Sequence, residues 1–282
     1  MRAAIILSLS GVLLLAAPVD TALADAAHQH YLRGLRLRRA KQYEQAEAQF
    51  RMALKKRPTY LAARLGLAHT LRRMRRWSAA VAQYSIVVRG SPKDANSWHM
   101  KGLCHYRLKQ WNQAIDSLKK ASFLDRKDAS IYKALAIAHR KRKQMHQAAK
   151  AMGQAARIQK NSAELWSLYG VYLSLVRKHR QAIAAHVKAL RLSPDTAQFC
   201  FNAAVSYRRD GKRRKALTLY LKAIRLQPRM APAYFDLGVL YQAKGSKAEA
   251  IKAFLAYLRL AGHRLSDNEK KSVQGRINRL QR

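Results

Sequence analysis

Two cysteines and ten histidines are the first residues to weigh for chemistry in this chain of 282 residues. Two cysteines can supply neither a disulfide scaffold nor a zinc ribbon. His28-Gln-His30 could hold a stray metal ion, but two imidazoles one residue apart do not make a designed site. The sequence contains no Ser–His–Asp, Cys–His, paired-carboxylate or phosphate-loop constellation, and its 15 scattered acids leave little for general acid–base work. The expectation is a protein with no catalytic residue, no metal and no cofactor.

Charge is the chemistry that stands out. The chain carries 56 Lys and Arg against 15 Asp and Glu, a net charge of +41. Apolar residues make up 49%, enough for a core, so the charge does not signal a disordered basic tail. Only 12 Gly and 6 Pro argue against an all-β or linker-rich design. A field of this size attracts polyanions and speeds their encounter. The competing reading is a general surface adaptation to an unusual envelope environment.

The N-terminus reads as an address. Arg2 precedes an apolar run from Ala3 to Ala17, and Ala22-Leu23-Ala24 has the small-residue order of a cleavage site. The run is about 15 residues, short of the roughly 20 that a spanning helix needs. A signal peptide over residues 1–24 is therefore expected, with an uncleaved membrane anchor as the alternative. Cleavage removes one base and one acid, so the charge is unchanged. The expected location is the periplasm or beyond the cell.

The elements that position the charge follow from a period. Pro58, Pro92, Pro194 and Pro228 are separated by multiples of 34. A repeat beginning at Ala27 restarts at Leu61, Ala95, Ala129, Ala163, Ala197 and Ala231. Position 20 is then alanine in all seven: Ala46, Ala80, Ala114, Ala148, Ala182, Ala216 and Ala250. Position 8 alternates Gly and Ala, and position 24 is mostly bulky, from Phe50 and Tyr84 to Phe254. This predicts a helix–turn–helix unit. Small residues let helices A and B touch, polar turns such as Arg209-Asp-Gly-Lys212 join them, and the proline closes helix B. No single unit buries its apolar face alone, so neighbours must stack. After Gly262, Ser266-Asp-Asn-Glu269 reads as a capping box opening a helix with Val273, Ile277 and Leu280 on one stripe.

The pattern W-x2-L-G-x2-Y…A-x3-F…A…P resembles the tetratricopeptide repeat family. It covers residues 27–264, as seven repeats bounded at 60, 94, 128, 162, 196, 230 and 264, with a capping helix over 265–282. The resemblance implies an all-α, right-handed solenoid and a scaffold that holds partners. It also implies that positions 2, 5, 6, 9, 12 and 13 of helix A face a concave groove. Arg126, Lys160 and Gly262 depart from the proline column, and His186 and Tyr257 depart at positions 24 and 27.

Placed on that frame, the charge forms columns. Each repeat carries between +3 and +8. Position 13 is Arg39, Arg73, Arg107, Lys141 and Arg209; position 12 is Arg38, Arg72, Arg140 and Arg208. By the resemblance these border the groove, with Tyr31, His99, Lys133, Phe201 and Phe235 inside it at position 5. A third column at position 29, including Arg225 and Arg259, lies near the end of helix B, where a cation complements the helix dipole by about 0.3–1 kcal/mol. Some relatives grip a C-terminal carboxylate with Lys and Asn; here Lys133 and Asn202 are interrupted by Ile137 and Leu168, so that clamp is not expected. Cys104 and Cys200 fall three repeats apart, farther than the roughly 4.4–6.8 Å of bridged Cα atoms. His105 and His139, both at position 11, are expected to pack rather than to bind metal. The expected partner is an acidic protein segment or an anionic polymer such as an acidic polysaccharide or a lipid head-group surface. Export makes nucleic acid the weaker candidate.

Overall fold

The computed structural model describes residues 19–282. The apolar run of the expected signal therefore lies outside the described residues, while Ala22, Leu23 and Ala24 fall within the first helix. The described residues form α-helices and no strand, in two compact units that divide between Gln110 and Trp111.

The first unit contains α1 (Val19–Arg39), α2 (Tyr43–Lys56), α3 (Leu61–Arg73), α4 (Trp77–Gly90) and α5 (Ala95–Arg107). Each helix packs on the next, and α1 also touches α3. Helix α1 starts eight residues before Ala27, because the Ala-rich stretch up to Ala27 holds strong helix formers and no glycine or internal proline.

The second unit opens with α6 (Trp111–Leu124), α7 (Ala129–Lys141), α8 (Met145–Ile158), α9 (Ala163–Leu175) and α10 (His179–Leu192). It continues with α11 (Ala197–Arg209), α12 (Arg213–Leu226), α13 (Ala231–Lys244), α14 (Lys247–Ala261) and α15 (Asp267–Gln281). Successive helices again pack in pairs, and α9 touches α11. The fold class is an all-α solenoid of helix hairpins.

The hairpin interface explains why small and large residues alternate. All seven position-20 alanines are fully buried, and Phe50, Tyr84, Leu118, Met152, His186, Tyr220 and Phe254 lie beside them with almost no exposure. Glycine is required where the ring presses on helix A. A Cβ on Gly238 would stand 2.7 Å from Phe254 Cε1, inside van der Waals contact. Gly238→Ala is therefore expected to cost about 1–3 kcal/mol. A denaturant melt checks this, and a midpoint equal to that of the parent would refute it.

The two kinds of turn differ chemically. Between A and B, the chain closes a doubled backbone bond: Lys41 N–H donates to Arg38 O and Gln42 N–H to Leu37 O, at 3.1 and 2.9 Å. This is the Schellman arrangement, and it demands a left-handed residue. That residue is Lys41, Arg75, Lys109, Lys143 or Arg177, at φ between 59 and 61°, and glycine at Gly211 and Gly245. A side chain in this conformation costs on the order of 1 kcal/mol relative to glycine.

Between B and A, side chains cap three of the helices, α5, α7 and α9, while α3, α11 and α13 open without one. Asp94, Asp128 and Ser162 accept from the first-turn N–H groups of Ser97, Ser130 and Leu165. The proline expected to close helix B is dispensable. Helices α6 and α8 end two residues before Arg126 and Lys160, just as α2 ends two residues before Pro58. In the first of these, Asp125 Oδ1 accepts from Lys127 N–H and Asp128 N–H at 2.9 and 3.1 Å, so an Asx turn reverses the chain instead.

At the C-terminus, Ser266 and Glu269 form both arms of a capping box. It opens α15, which lays Val273 and Ile277 against Ala250 and Phe254.

Candidate anion-binding cleft

Four of the columnar arginines meet in the first unit. Arg38 and Arg39 end α1, Arg72 and Arg73 end α3, and the contact between these helices brings the pairs together. With Lys41, Tyr43 and His69 they line a cleft of about 380 Å³. The walls contain no carboxylate. Arg38, Arg39, Arg72 and Arg73 make no ion pair among the described residues, and Arg72 Nε is buried with no acceptor. The nearby acid on α2, Glu47, is taken by Arg51 and Arg76, each at 2.7 Å.

His69 does not add to this charge. Burial, then the adjacent Arg38 and Arg72 guanidinium groups, push its pKa down to about 4, so the imidazole is neutral near pH 7. Its Nδ1 lies 2.8 Å from the Tyr84 hydroxyl in a hydrogen bond, and burial pushes that hydroxyl up. The cleft thus presents guanidinium donors to an acceptor-only ligand, on a floor fixed by a neutral His–Tyr pair. Bidentate guanidinium–oxyanion pairing is the chemistry this arrangement supports.

The remaining expected residues are placed differently. Arg107 stacks over Trp77 at 5.8 Å and Lys141 over Trp111 at 6.0 Å, so both have ring partners inside their own units. Lys133 is paired to Glu164 at 2.6 Å, and Arg208 to Asp236 at 3.4 Å. Arg140 and Arg209 are exposed. At position 5, Tyr31 packs on Phe50 and Tyr60, Phe201 on Tyr220, and Phe235 on Phe254 and Tyr257. These rings are half-buried wall, while His99 is buried outright.

His105 and His139 each bond the glutamine five residues on, with Nδ1 to Oε1 at 2.7 Å in both. Cys104 and Cys200 are free and buried, and burial pushes the Cys104 thiol up to about 11. Among the described residues no three metal-binding side chains converge.

Position-based reasoning missed Lys41, Tyr43 and His69. It also missed a second basic cleft, of about 390 Å³, in the second unit. Arg177, Lys178, His179, Arg180, Gln181 and Asp210 line it. The Lys212 ammonium, 2.7 Å from Asp210, holds that carboxyl below the usual carboxylate range.

Two tetratricopeptide repeat models match the sequence, one over residues 37–104 and one over residues 201–264. The chain is a tetratricopeptide repeat protein. Solved structures agree in fold. The C-terminal part of a TPR repeat-containing protein from Cytophaga hutchinsonii has a TM-score of 0.72 at 15% identity, covering 88% of this chain and 99% of that one. YrrB, described as a TPR protein with an unusual peptide-binding site, has a TM-score of 0.59 at 21% identity over 65% of this chain and 95% of its own. Pseudomonas aeruginosa pilF has a TM-score of 0.56 at 19% identity, covering 73% and 94%. No curated protein matches the chain. In this tetratricopeptide repeat protein no described helix is long and apolar enough to cross a membrane. A scaffold for protein interaction is the role the repeats support.

Proposed function

We propose that this tetratricopeptide repeat protein is a non-enzymatic scaffold exported to the periplasm, where it captures an acidic segment of a partner protein. The observation that carries the reading is the cleft of Arg38, Arg39, Arg72 and Arg73, four guanidinium groups with no carboxylate among them. A single carboxylate uses one guanidinium fork. Four converging forks suit a run of acids. The expected signal peptide supports the location. Together with the likeness to pilF, it makes envelope assembly or secretion the setting to examine first.

The test is titration of the full chain with a labelled oligoglutamate peptide over a salt series. Affinity is expected to fall steeply as salt rises, because Arg39 and Arg73 are exposed and Arg38 and Arg72 half-buried, so that their charges are screened within about 10 Å at 0.1 M. Binding that ignores salt would sink the proposal.

A second reading is a general polyanion-binding module without a specific protein partner. The exposed bases at position 29, Lys55, Arg89, Arg157, Arg191, Arg225 and Arg259, favour it. That reading expects these bases to matter as much as the cleft.

A further inference from the structure

Resting on that reading of the cleft, we infer that the A–B turns are the binding edge for the acidic polypeptide, and that their left-handed residues are held basic for it at the expense of the fold. Those residues are Lys41, Arg75 and Lys109 in the first unit, and Lys143 and Arg177 in the second.

The turns are built the same way in every repeat, and glycine is demonstrably compatible with them. Gly211 N–H donates to Arg208 O and Lys212 N–H to Tyr207 O, at 3.1 and 2.9 Å, in the pattern found around Lys41. Five turns nonetheless carry Lys or Arg at positive φ. These five side chains are exposed, and none makes an ion pair or hydrogen bond among the described residues. The side chain is thus strained and contributes no contact. Backbone strain of this kind clusters at functional sites.

Dipole complementarity does not account for the bases. A cation after helix A gains from the negative end of that helix. Helix B starts two residues later, at Tyr43 after Lys41 and His179 after Arg177, and its positive end repels the same charge. The B helices compound the conflict. None of α2, α4, α8, α10, α12 and α14 has a side-chain cap. The residues in the cap positions include Arg76, Lys178 and Lys212, and α4, α6, α8, α10 and α12 have no acid in the first turn. Three separate rules of local stability are broken along this kind of turn, whereas three of the opposite turns, before α5, α7 and α9, keep a side-chain cap.

Uncapped N–H groups and unpaired bases together are an anion-binding surface. Each unit has a basic cleft at such a turn: Lys41 lines the one in the first unit and Arg177 the one in the second. Aromatic residues Tyr43, Trp77 and Trp111 open three of the B helices. An acidic polypeptide brings side-chain methylenes and a backbone that rings can cover as well as its charges, whereas a phosphate chain brings the charges alone.

The test compares the full chain with a Lys41→Gly, Arg75→Gly variant and a Lys41→Gln, Arg75→Gln variant. Thermal melts are paired with anisotropy of a labelled oligoglutamate peptide at low salt. The glycine variant is expected to melt higher, by about 2–4 °C per site, and to bind about tenfold more weakly. The glutamine variant keeps the strain and loses the charge, so it should melt like the parent and bind as weakly as the glycine variant. Gly211→Lys should do the reverse, melting lower and binding more tightly. Glycine variants that retain the parent's affinity overturn the inference while leaving the scaffold reading intact. A parent that binds inorganic polyphosphate but not the peptide overturns the choice of ligand. A parent that binds neither overturns the scaffold reading as well.

Discussion

Lowering the pH from 7 to 4 is expected to remove about 3 kcal/mol of stability from the second unit through one residue, His186. The imidazole is 1% exposed, and neither ring nitrogen has a partner. Burial pushes its pKa from 6.5 down to about 4. With the folded value depressed, the unfolded chain takes up the proton first, so stability is full above about pH 6.5 and is lost as pH falls toward 4. At roughly 1.4 kcal/mol per pH unit, that interval corresponds to the figure given. His69 behaves alike in the first unit, where Arg38 and Arg72 add to the effect of burial. His186→Met is the decisive variant, because Met152 already fills the same position one repeat earlier. Denaturant melts across pH should show the variant more stable than the parent at pH 7, since an orphaned N–H is gone, and much flatter between pH 6.5 and 4. An unchanged acid slope would show that His186 is not the titrating group.

The second large effect is on binding. Arg72→Glu combined with Arg73→Glu is expected to weaken capture of an acidic peptide by about 100-fold, because two attractive pairings become like-charge contacts, which cost several kcal/mol. Neither arginine makes an ion pair, so the melting midpoint should hold or rise as repulsion with Arg38 and Arg39 is relieved. Arg191→Glu combined with Arg225→Glu, exposed on α10 and α12, is the control with the same change of charge. It should leave peptide affinity within about twofold. Equal losses from both variants would favour the general polyanion reading over the cleft.

Much of this molecule was legible in its sequence, and the reason is physical. A packing interface repeated seven times writes the same size constraint seven times, so the alanine column at position 20 announces the hairpin without any structure. The ends of helix B were read less well. Proline marks four of them, but Asp125 performs the same reversal with a side-chain acceptor, a substitution invisible to a search for proline. The surroundings of the basic columns were less legible for a related reason. Columns of arginine give position along the repeat but not the company each side chain keeps. Glu164 takes Lys133, Asp236 takes Arg208, and Trp77 takes Arg107, which leaves Arg38, Arg39, Arg72 and Arg73 to form the cleft. Lys41 had a usable signal: it stands in the column where the sixth and seventh repeats carry Gly211 and Gly245. A basic residue in a glycine column is a warning of strain.

The cleft without a carboxylate has a consequence for what capture means energetically. Four guanidinium groups in about 380 Å³ keep small anions from the surrounding solution close by. A partner's acids therefore replace ions already there rather than filling a vacant electrostatic well. Capture is then an exchange, driven by the freedom that the displaced ions regain. Its strength belongs as much to the identity of the buffer anion as to the protein, and a strongly held sulfate should compete where chloride yields.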